Sequence, residues 1–360
     1  MRLGRGRRRR AGHPITSPAA YSTYNVLEGL DLTLLVVNAQ QIKAVPGRKT
    51  DVKDAEWIAD LLRHGLVRAS SIPDRAQREL QELVRHRRGL IRQRSQVVNR
   101  IQKVLEGANI KLAAVASNVV GLSGRAILDA LVGGTDDPQA LAALAQGKLQ
   151  AKRDQVAVAL EGRVGAHQRF LLQSQLRHLD FLDAEIDRVT GEIAERCRPF
   201  EEVIERLDTI PGVGRRIAEE LVVALGTDLS RFPTAQHLAS WARLCPGNNE
   251  SAGKRRSGAT GRGNPWLREM LVEAAWGASH TRNTYLAAQY RRLAARRGAK
   301  RAALAVAHTI LVIAYHIIRD GTVYEDLGSN YFDERERDRT IRRAVHRLER
   351  LGCKVSLEAA

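Results

Sequence analysis

Two long stretches with an apolar residue at every seventh position constrain the fold of this chain more than any other feature. The first stretch repeats at Leu83, Leu90, Val97 and Val104, with a neighbouring apolar row at Val84, Ile91, Val98 and Leu105. The second repeats at Leu172, Leu179, Ile186 and Ile193, with Leu182 and Val189 on the alternate row. Sustained heptad spacing predicts long coiled-coil helices. These helices can pair with each other as a hairpin that spaces two domains, or with another subunit as a dimerisation element, and the pattern favours neither arrangement.

The segment before the first heptad stretch predicts a strand followed by a helix. Residues 30–37 (LDLTLLVV) are almost entirely apolar, which predicts a buried strand. Thr50 can cap a helix that begins at Asp51, and the apolar face of that helix consists of Ala55, Ile58, Ala59, Leu61 and Leu62. A strand, a loop and a helix in this order indicate an α/β domain over residues 13–67.

The rest of the chain is predicted to be mostly α-helical around this small α/β part. We expect a basic disordered arm over residues 1–12, a coiled-coil helical region over 68–200, a globular domain over 201–325 and an amphipathic tail over 326–360. The apolar stretch from Ala302 to Ile318 approaches the length of a membrane span. It carries His308 and His316, so we expect a buried helix and satisfied core or cleft histidines.

The charge of the chain indicates its partner. A formal net charge of +18 attracts polyanions through counterion release, and nucleic acid is the default polyanion. The charges are spread through the whole chain, so we expect no membrane partner. The cysteines Cys197, Cys245 and Cys353 are too far apart in sequence to indicate a zinc knuckle or a disulfide framework. No continuous apolar run follows the basic start, and a reducing cytoplasm is the expected location.

The first candidate for chemistry is the pair Asp51 and Asp54, three residues apart at the start of the predicted helix. This spacing projects both carboxylates from one helix face, where a magnesium ion can take one oxygen from each and leave sites for phosphate and water. Arg48 and Lys49 just before them are candidates for contacts with a nucleic-acid backbone. The alternative is that both acids simply suit the positive end of a helix, or that Asp54 pairs with a neighbouring base.

The second candidate is the segment IPGVGRRIAEEL over residues 210–221. Gly212 and Gly214 allow a tight turn between two helices, which leaves backbone N–H groups free to hold a phosphate. Arg215 and Arg216 add positive charge beside that turn. This pattern is typical of a nucleic-acid-binding helix-hairpin-helix, and a purely structural helical hairpin is the alternative.

The third candidate is the glycine-rich segment over residues 245–266. It carries cations suited to a nucleic-acid backbone, namely Lys254, Arg255, Arg256 and Arg262. It also carries hydroxyl groups that a base or a metal could activate as nucleophiles, namely Ser251, Ser257 and Thr260. The pattern does not select one hydroxyl, and an ordinary phosphate-gripping loop is the alternative.

Several of these segments, in order and spacing, resemble a known family. NAQQIKAVPGRKTDVKDAEWIADLLRHGL, LDTIPGVG, LASWARLCPGNNESAGKRRSG and NPWLR resemble the DEDD transposases of the insertion-sequence one-ten family, relatives of the Piv-type invertases. The resemblance covers the chain from about Asn25 to the end. It implies a partial RuvC-like, RNase-H-type domain at the amino terminus and a helical transposase domain at the carboxy terminus.

The resemblance also implies roles for particular residues. Asp51 and Asp54 match the last two acids of a magnesium-binding quartet, and Ser251, within Glu250 to Gly253, matches a serine that attacks DNA. It further implies DNA as substrate, a guide RNA from the element's own end, and a homo-oligomer in which acids and serine come from different subunits. A bacterial, nucleoid-associated location follows from these partners.

One part of the family pattern does not align with this sequence. The first aspartate and the Glu-x-Thr-Gly stretch are not found, and the glutamate would fall near Pro14. The resemblance therefore implies an incomplete amino terminus and weak or no catalysis by this chain. Two other functions stay open: a non-catalytic nucleic-acid-binding protein that keeps the coiled coil and carboxy-terminal domain, and a metal-dependent structure-specific nuclease that uses the acids alone.

Overall fold

The computed structural model describes residues 9–15, 24–30, 32–38, 51–67, 70, 72–245, 249–251, 254–257, 260 and 264–356. The chain forms two compact units, Met1–Arg75 and Ala76–Ala360. Each unit has its own hydrophobic core. The second unit is almost entirely helical, as the sequence predicts.

The first unit contains a parallel pair of strands and one helix. Strand β1 (Arg9–Ile15) pairs with strand β2 (Leu32–Asn38). Helix α1 (Asp51–Arg63) follows. Val37 of β2 and Leu61 of α1 are buried together, because the apolar side of the helix packs on the strand. The predicted strand and the predicted helix start are therefore confirmed.

The last residues of the predicted disordered arm, which covers residues 1–12, form part of a strand. Residues 9–12 belong to β1, whose residues align with those of β2 from Arg9 opposite Leu32 to Ile15 opposite Asn38. Strand pairing satisfies the backbone N–H and C=O groups of an arginine-rich segment, and composition alone does not reveal such a partner. Residues 1–8 lie outside the part of the chain that the structure describes.

The second unit begins with helices separated by short turns. They are α2 (Arg75–Gly107), α3 (Leu112–Val115), α4 (Leu122–Val132), α5 (Pro138–Ala143), α6 (Arg153–Ala159) and α7 (Ala166–Cys197). A 3₁₀ turn at Gly147–Lys152 precedes α6. Asp137 caps α5 by accepting hydrogen bonds from the N–H groups of Gln139 and Ala140.

The two long helices, α2 and α7, run antiparallel to each other. Arg94 pairs with Asp183, with one N–O distance of 3.2 Å, while Glu79 near the start of α2 pairs with Arg196 near the end of α7 at 3.6 Å. Several heptad residues of both helices are buried in the core, and they are Val84, Leu90, Val97, Leu105, Leu172, Leu179, Leu182, Val189 and Ile193. The structure thus gives the heptad rows an intramolecular use, and association with a second subunit stays a prediction.

Six further helices follow in the described part of the second unit. They are α8 (Glu201–Asp208), α9 (Arg215–Leu225), α10 (Ala235–Trp241), α11 (Pro265–His280), α12 (Tyr285–Arg297) and α13 (Ala299–Asp320). One hydrophobic cluster extends from Leu80 of α2 to Ile317 of α13. Residues from both sides of residue 200 belong to this cluster, so helix α2 shares one core with the later helices.

Helix α13 is the apolar stretch noted in the sequence. Its inner face is buried, and Tyr315 donates a hydrogen bond to the backbone oxygen of Phe232 at 2.7 Å. By length and composition, it is the one helix among the described residues that could cross a membrane, and half of its apolar window is buried inside the protein. The predicted buried helix is confirmed. His308 is half-buried, but His316 is exposed beside Asp320, so the expectation for His316 was wrong.

The first part of the carboxy-terminal segment packs on α12. It contains α14 (Tyr331–Arg335) and α15 (Arg337–Arg350). The ring of Phe332 stacks on Tyr285 with centroids 5.1 Å apart, and Arg292 donates to Glu336 at 2.9 Å. Part of the predicted tail is therefore anchored by aromatic and ionic contacts.

Candidate functional site

The predicted acid pair lies at the start of α1. The backbone places Asp51 and Asp54 in the first turn of this helix, three residues apart and hence on one face. Their side chains, together with Arg48 and Lys49, lie outside what the structure describes. Carboxylates in this arrangement suit magnesium, which prefers oxygen ligands and keeps part of its water shell. The magnesium site stays a prediction.

The predicted serine segment contains a short antiparallel hairpin rather than a loop throughout. Strand β3 (Asn249–Ser251) pairs with strand β4 (Lys254–Ser257), and Ser251 lies opposite Lys254. The register shifts between Asn249 and Glu250, so Asn249 lies opposite Ser257 and Glu250 opposite Arg255. Glycine-rich composition conceals this pairing, because two such short strands carry little alternating pattern. Arg262 lies outside the described residues.

The register gives Ser251 a defined backbone neighbour. Directly opposed residues in an antiparallel pair have Cα atoms about 4.5–5.5 Å apart. Lys254 therefore occupies the cross-strand position beside Ser251, while Ser257 sits at the far end of the hairpin opposite Asn249. The backbone register thus brings a cationic residue opposite Ser251. Thr260 is half-buried, and nothing in the described structure gives it such a neighbour.

The glycine-containing turn between α8 and α9 packs tightly against α11. Gly212 has a φ of +84°, and a Cβ there would lie 2.2 Å from the oxygen of Ala274 and 2.3 Å from the nitrogen of Ala278. Gly277 of α11 faces Gly212 in return. Only glycine permits this backbone conformation together with this close approach. In the structure, Gly212 allows the turn to pack directly against the backbone of α11.

Replacing Gly212 with alanine is expected to destabilise the chain strongly. A left-handed backbone costs an L side chain about 1–2 kcal/mol, and overpacking against backbone adds about 1–3 kcal/mol. Urea unfolding should therefore show a loss of about 2–5 kcal/mol. Gly214→Ala is the matched control, because a Cβ at that position meets nothing within 4 Å. Equal stability of the two variants would contradict the close packing of Gly212.

The two arginines beside the turn have acidic partners in the same chain. Arg215 donates to Glu201 at 2.8 Å and lies 3.3 Å from Glu219. Arg216 pairs with Glu273 of α11. The acids hold the pKa of Arg215 above its usual value, with Glu201 as the main cause. A phosphate at this turn would have to compete with carboxylates for both guanidinium groups, and the nucleic-acid role of the turn stays a prediction.

A buried group of charges joins α2 to α9. Arg87 lies 3.2 Å from Glu219 and 3.4 Å from Glu220, and all three side chains are at most 4% exposed. Arg88 reaches Glu220 at 2.7 Å. Charges this deeply buried are tolerated only when each has an opposite partner. This group was not predicted from the sequence, although two adjacent acids inside the apolar stretch IAEELVVAL are a visible sign of it.

The same charges continue onto α11. Arg88 lies 3.5 Å from Glu273, and Arg92 pairs with Glu269. Glu273 also holds Arg216, so one acid on α11 contacts arginines from α2 and α9. The charge network therefore fixes α11, which follows the serine hairpin directly, against the long helix α2.

The thiol of Cys197, buried next to this network, has low reactivity. Burial is the main cause that raises the pKa of Cys197 to about 11, and the nearby Glu219 adds to the effect. Little thiolate exists at neutral pH when a thiol has so high a pKa, and the thiolate is the nucleophile. Cys197 is thus a core residue. Among the described residues, no group of three or more His, Cys, Asp or Glu side chains is arranged to hold a metal.

Two regions of the chain match family descriptions. Residues 6–110 match the family described as DEDD_Tnp_IS110 transposase, and residues 204–291 match the description "Transposase IS116/IS110/IS902 family". The first region includes Asp51 and Asp54, and the second includes Ser251. The match begins at residue 6, upstream of Asn25, where the likeness was expected to begin.

Individual relatives agree with these matches. The chain is 26% identical over 251 residues to a "Probable family 20 transposase" of Pseudomonas aeruginosa, covering 69% of this chain and 65% of that protein. It is 23% identical over 312 residues to the transposase for insertion sequence element IS1111A of Coxiella burnetii, covering 84% and 75%. It is 31% identical over 122 residues to the pilin gene-inverting protein of Moraxella bovis, covering 33% and 38%. The chain spans just under two thirds of the Pseudomonas relative's length.

Proposed function

Because this chain belongs to the IS116/IS110/IS902 family of transposases, we propose that it cuts and rejoins DNA with Ser251 as the nucleophile, at the low rate expected when the first aspartate and the glutamate of the family's quartet are not matched. The observation that carries the choice of hydroxyl is the hairpin register. Ser251 ends β3 and has the cationic Lys254 directly across from it, whereas Ser257 has Asn249. A lysine at the cross-strand position adds positive charge to the same hairpin, which favours approach of the negatively charged phosphodiester.

The proposed reaction consists of two phosphoryl transfers, and in each the bonds formed and broken balance. In the first, the Ser251 hydroxyl oxygen bonds to the phosphorus of a DNA phosphodiester and loses its proton. The bond from phosphorus to one bridging DNA oxygen breaks, and that oxygen leaves as a hydroxyl after gaining a proton. In the second, a hydroxyl of another DNA end attacks the same phosphorus and releases the serine with its proton restored. The number of phosphodiester bonds is conserved, so no external energy source is needed.

Asp51 and Asp54 are the proposed magnesium ligands. Their spacing on one face of α1 and their carboxylate chemistry support this assignment. A bound magnesium ion would supply Lewis-acid stabilisation of the phosphate charge. The protein's part is to hold the two carboxylates at the start of a helix, where the positive end of the helix dipole favours a negatively charged group.

The proposed partners are DNA and a guide RNA, with a homo-oligomer as the working form. The net charge of +18 supports a polyanionic partner. Association between subunits is supported by the outer face of α7, where Phe170 and Phe181 are 68% and 60% exposed. These two rings lie about three helical turns apart on one side of the helix, a spacing suited to contact with another helix. A location at the bacterial nucleoid follows from such partners.

A covalent protein–DNA product is the direct test of this function. The full chain would be incubated with a plasmid that carries the DNA flanking its gene, RNA transcribed from that flank, and magnesium. After denaturation, labelled DNA should migrate with the protein. We expect the product to disappear when EDTA replaces magnesium, and to fall sharply for Asp54→Asn.

Other results would assign a different function. Salt-sensitive DNA binding without any covalent product would identify a non-catalytic binding protein. Cleaved DNA that never becomes attached to protein, together with loss of cleavage in Asp54→Asn, would identify a nuclease that uses the acids alone.

A further inference from the structure

An exposed aromatic group stands at the carboxy-terminal end of α11. The side chain of Trp276 is 41% exposed, although tryptophan is usually well covered. Its ring lies 5.6 Å from the ring of Tyr290 on α12 and 6.3 Å from that of His280. His280 donates from Nδ1 to the backbone oxygen of Trp276 at 2.8 Å, which fixes the imidazole beside the indole. The three rings therefore form a supported surface rather than a single mobile side chain.

This aromatic group lies next to the turn between α8 and α9. Gly277 is the residue after Trp276. A Cβ added to Gly277 would lie 3.1 Å from the Cα of Gly212 in that turn. Glu273, one helical turn earlier on the same side of α11, pairs with Arg216 at the start of α9. The exposed indole is thus within one helical turn of the segment that carries the proposed nucleic-acid contacts.

The charge around the rings is suited to an anionic partner with a flat apolar group. Arg282 follows His280 by two residues and Arg291 follows Tyr290 directly, and both are exposed. Glu273, three residues before Trp276 on the same helix, is already engaged by Arg88 and Arg216. Proteins bind unpaired nucleotides with exposed aromatic rings on a basic surface, because the flat face of every base can stack on an aromatic ring.

We propose that Trp276, supported by Tyr290 and His280, is a stacking platform for an unpaired base of a nucleic-acid strand. The inference rests on the proposed transposase function and adds to it a binding site for single-stranded nucleotides. A transposase that opens or exchanges strands exposes such bases in DNA, and a structured RNA exposes them in its loops. The platform recognises the base face, which is common to both.

The test compares binding of unpaired and paired oligonucleotides. Fluorescence anisotropy of the full chain would be measured with a labelled twelve-nucleotide DNA strand, its RNA counterpart and the matching DNA duplex. We expect Trp276→Ala to weaken single-strand binding about 10-fold, as loss of one base–aromatic stack does. Duplex binding should change less than about twofold, because paired bases do not offer their faces. Comparison of the DNA and RNA strands identifies the source of the base.

Two variants control for folding and for general loss of an aromatic residue. Trp276→Phe keeps a ring and should retain single-strand affinity within about threefold. Trp241→Ala removes a tryptophan of similar exposure, 44%, from α10 and should leave that affinity unchanged. If Trp276→Phe is as weak as Trp276→Ala, stacking on this ring is not the cause and the inference fails.

The possible outcomes separate this inference from the function on which it rests. If the wild-type chain binds none of the three probes, the proposed function and the inference both fail. If the wild type binds but Trp276→Ala matches it, or weakens single strand and duplex equally, only the inference fails. If Trp276→Ala changes the oligomeric mass and not the affinity, the surface is a contact between protein chains and the inference is overturned.

Discussion

Replacing Ser251 with alanine should lower DNA cleavage and joining at least about 10³-fold, because the variant lacks the oxygen that bonds to phosphorus. DNA binding should persist within about threefold, since the substitution removes neither a positive charge nor an aromatic ring. Both quantities can be measured on the same plasmid, with labelled joined product for activity and gel mobility for binding.

Ser257→Ala is the matched control for this experiment. Ser257 belongs to the same hairpin, at the end of β4 and opposite Asn249, so its replacement disturbs the same element without touching the proposed nucleophile. We expect it to keep most of the joining activity. Equal loss in Ser251→Ala and Ser257→Ala would show that the hairpin as a whole matters and would remove the basis for choosing Ser251.

The second large effect is expected at Arg87. Arg87→Ala would leave Glu219 and Glu220 without a main partner at a site where both are at most 4% exposed. Removing one partner of a buried ion pair costs about 3–5 kcal/mol, because the remaining charge stays buried without compensation. The urea midpoint of the full chain should fall accordingly. Helix α2 should separate from α9 and α11 at a lower urea concentration than in the wild type.

Arg92→Ala provides the comparison on the same helix. Arg92 also pairs with an acid, Glu269, but the two side chains are 64% and 53% exposed. Exposed ion pairs contribute about 1 kcal/mol or less, so this variant should be nearly as stable as the wild type. A cost for Arg87→Ala no greater than that for Arg92→Ala would contradict the structural role of the buried network.

Local and periodic features of the fold could be predicted from the sequence. The heptad rows predict both long helices, the cap at Thr50 predicts a helix that starts at Asp51, and the apolar stretch predicts the buried helix α13. Pairing between distant segments could not be read in this way. β1 needed β2 as its partner, and the core joined α2 to helices beyond residue 200, because such contacts depend on three-dimensional packing rather than on spacing.

For the candidate site too, local features could be predicted from the sequence and distant contacts could not. Glycines around residue 212 predict a tight turn, but the contact that makes Gly212 irreplaceable comes from α11, about sixty residues later. Arg215 and Arg216 read as free cations in the sequence, whereas Glu201 and Glu273 pair with them across the fold. Ser251 emerged only from the family resemblance, and the register with Lys254 gives it an additional physical argument.

Mass spectrometry of the trapped protein–DNA product tests the central claim most directly. Trypsin cleaves after Arg243, Lys254, Arg256 and Arg262, so the peptide over residues 244–254 contains Ser251 as its only hydroxyl residue, while Ser257 and Thr260 fall together in the peptide over residues 257–262. After nuclease digestion, we predict a nucleotide remnant on the peptide over residues 244–254. A remnant on the peptide over residues 257–262, or joined DNA without a remnant on either peptide, would contradict Ser251 as the nucleophile.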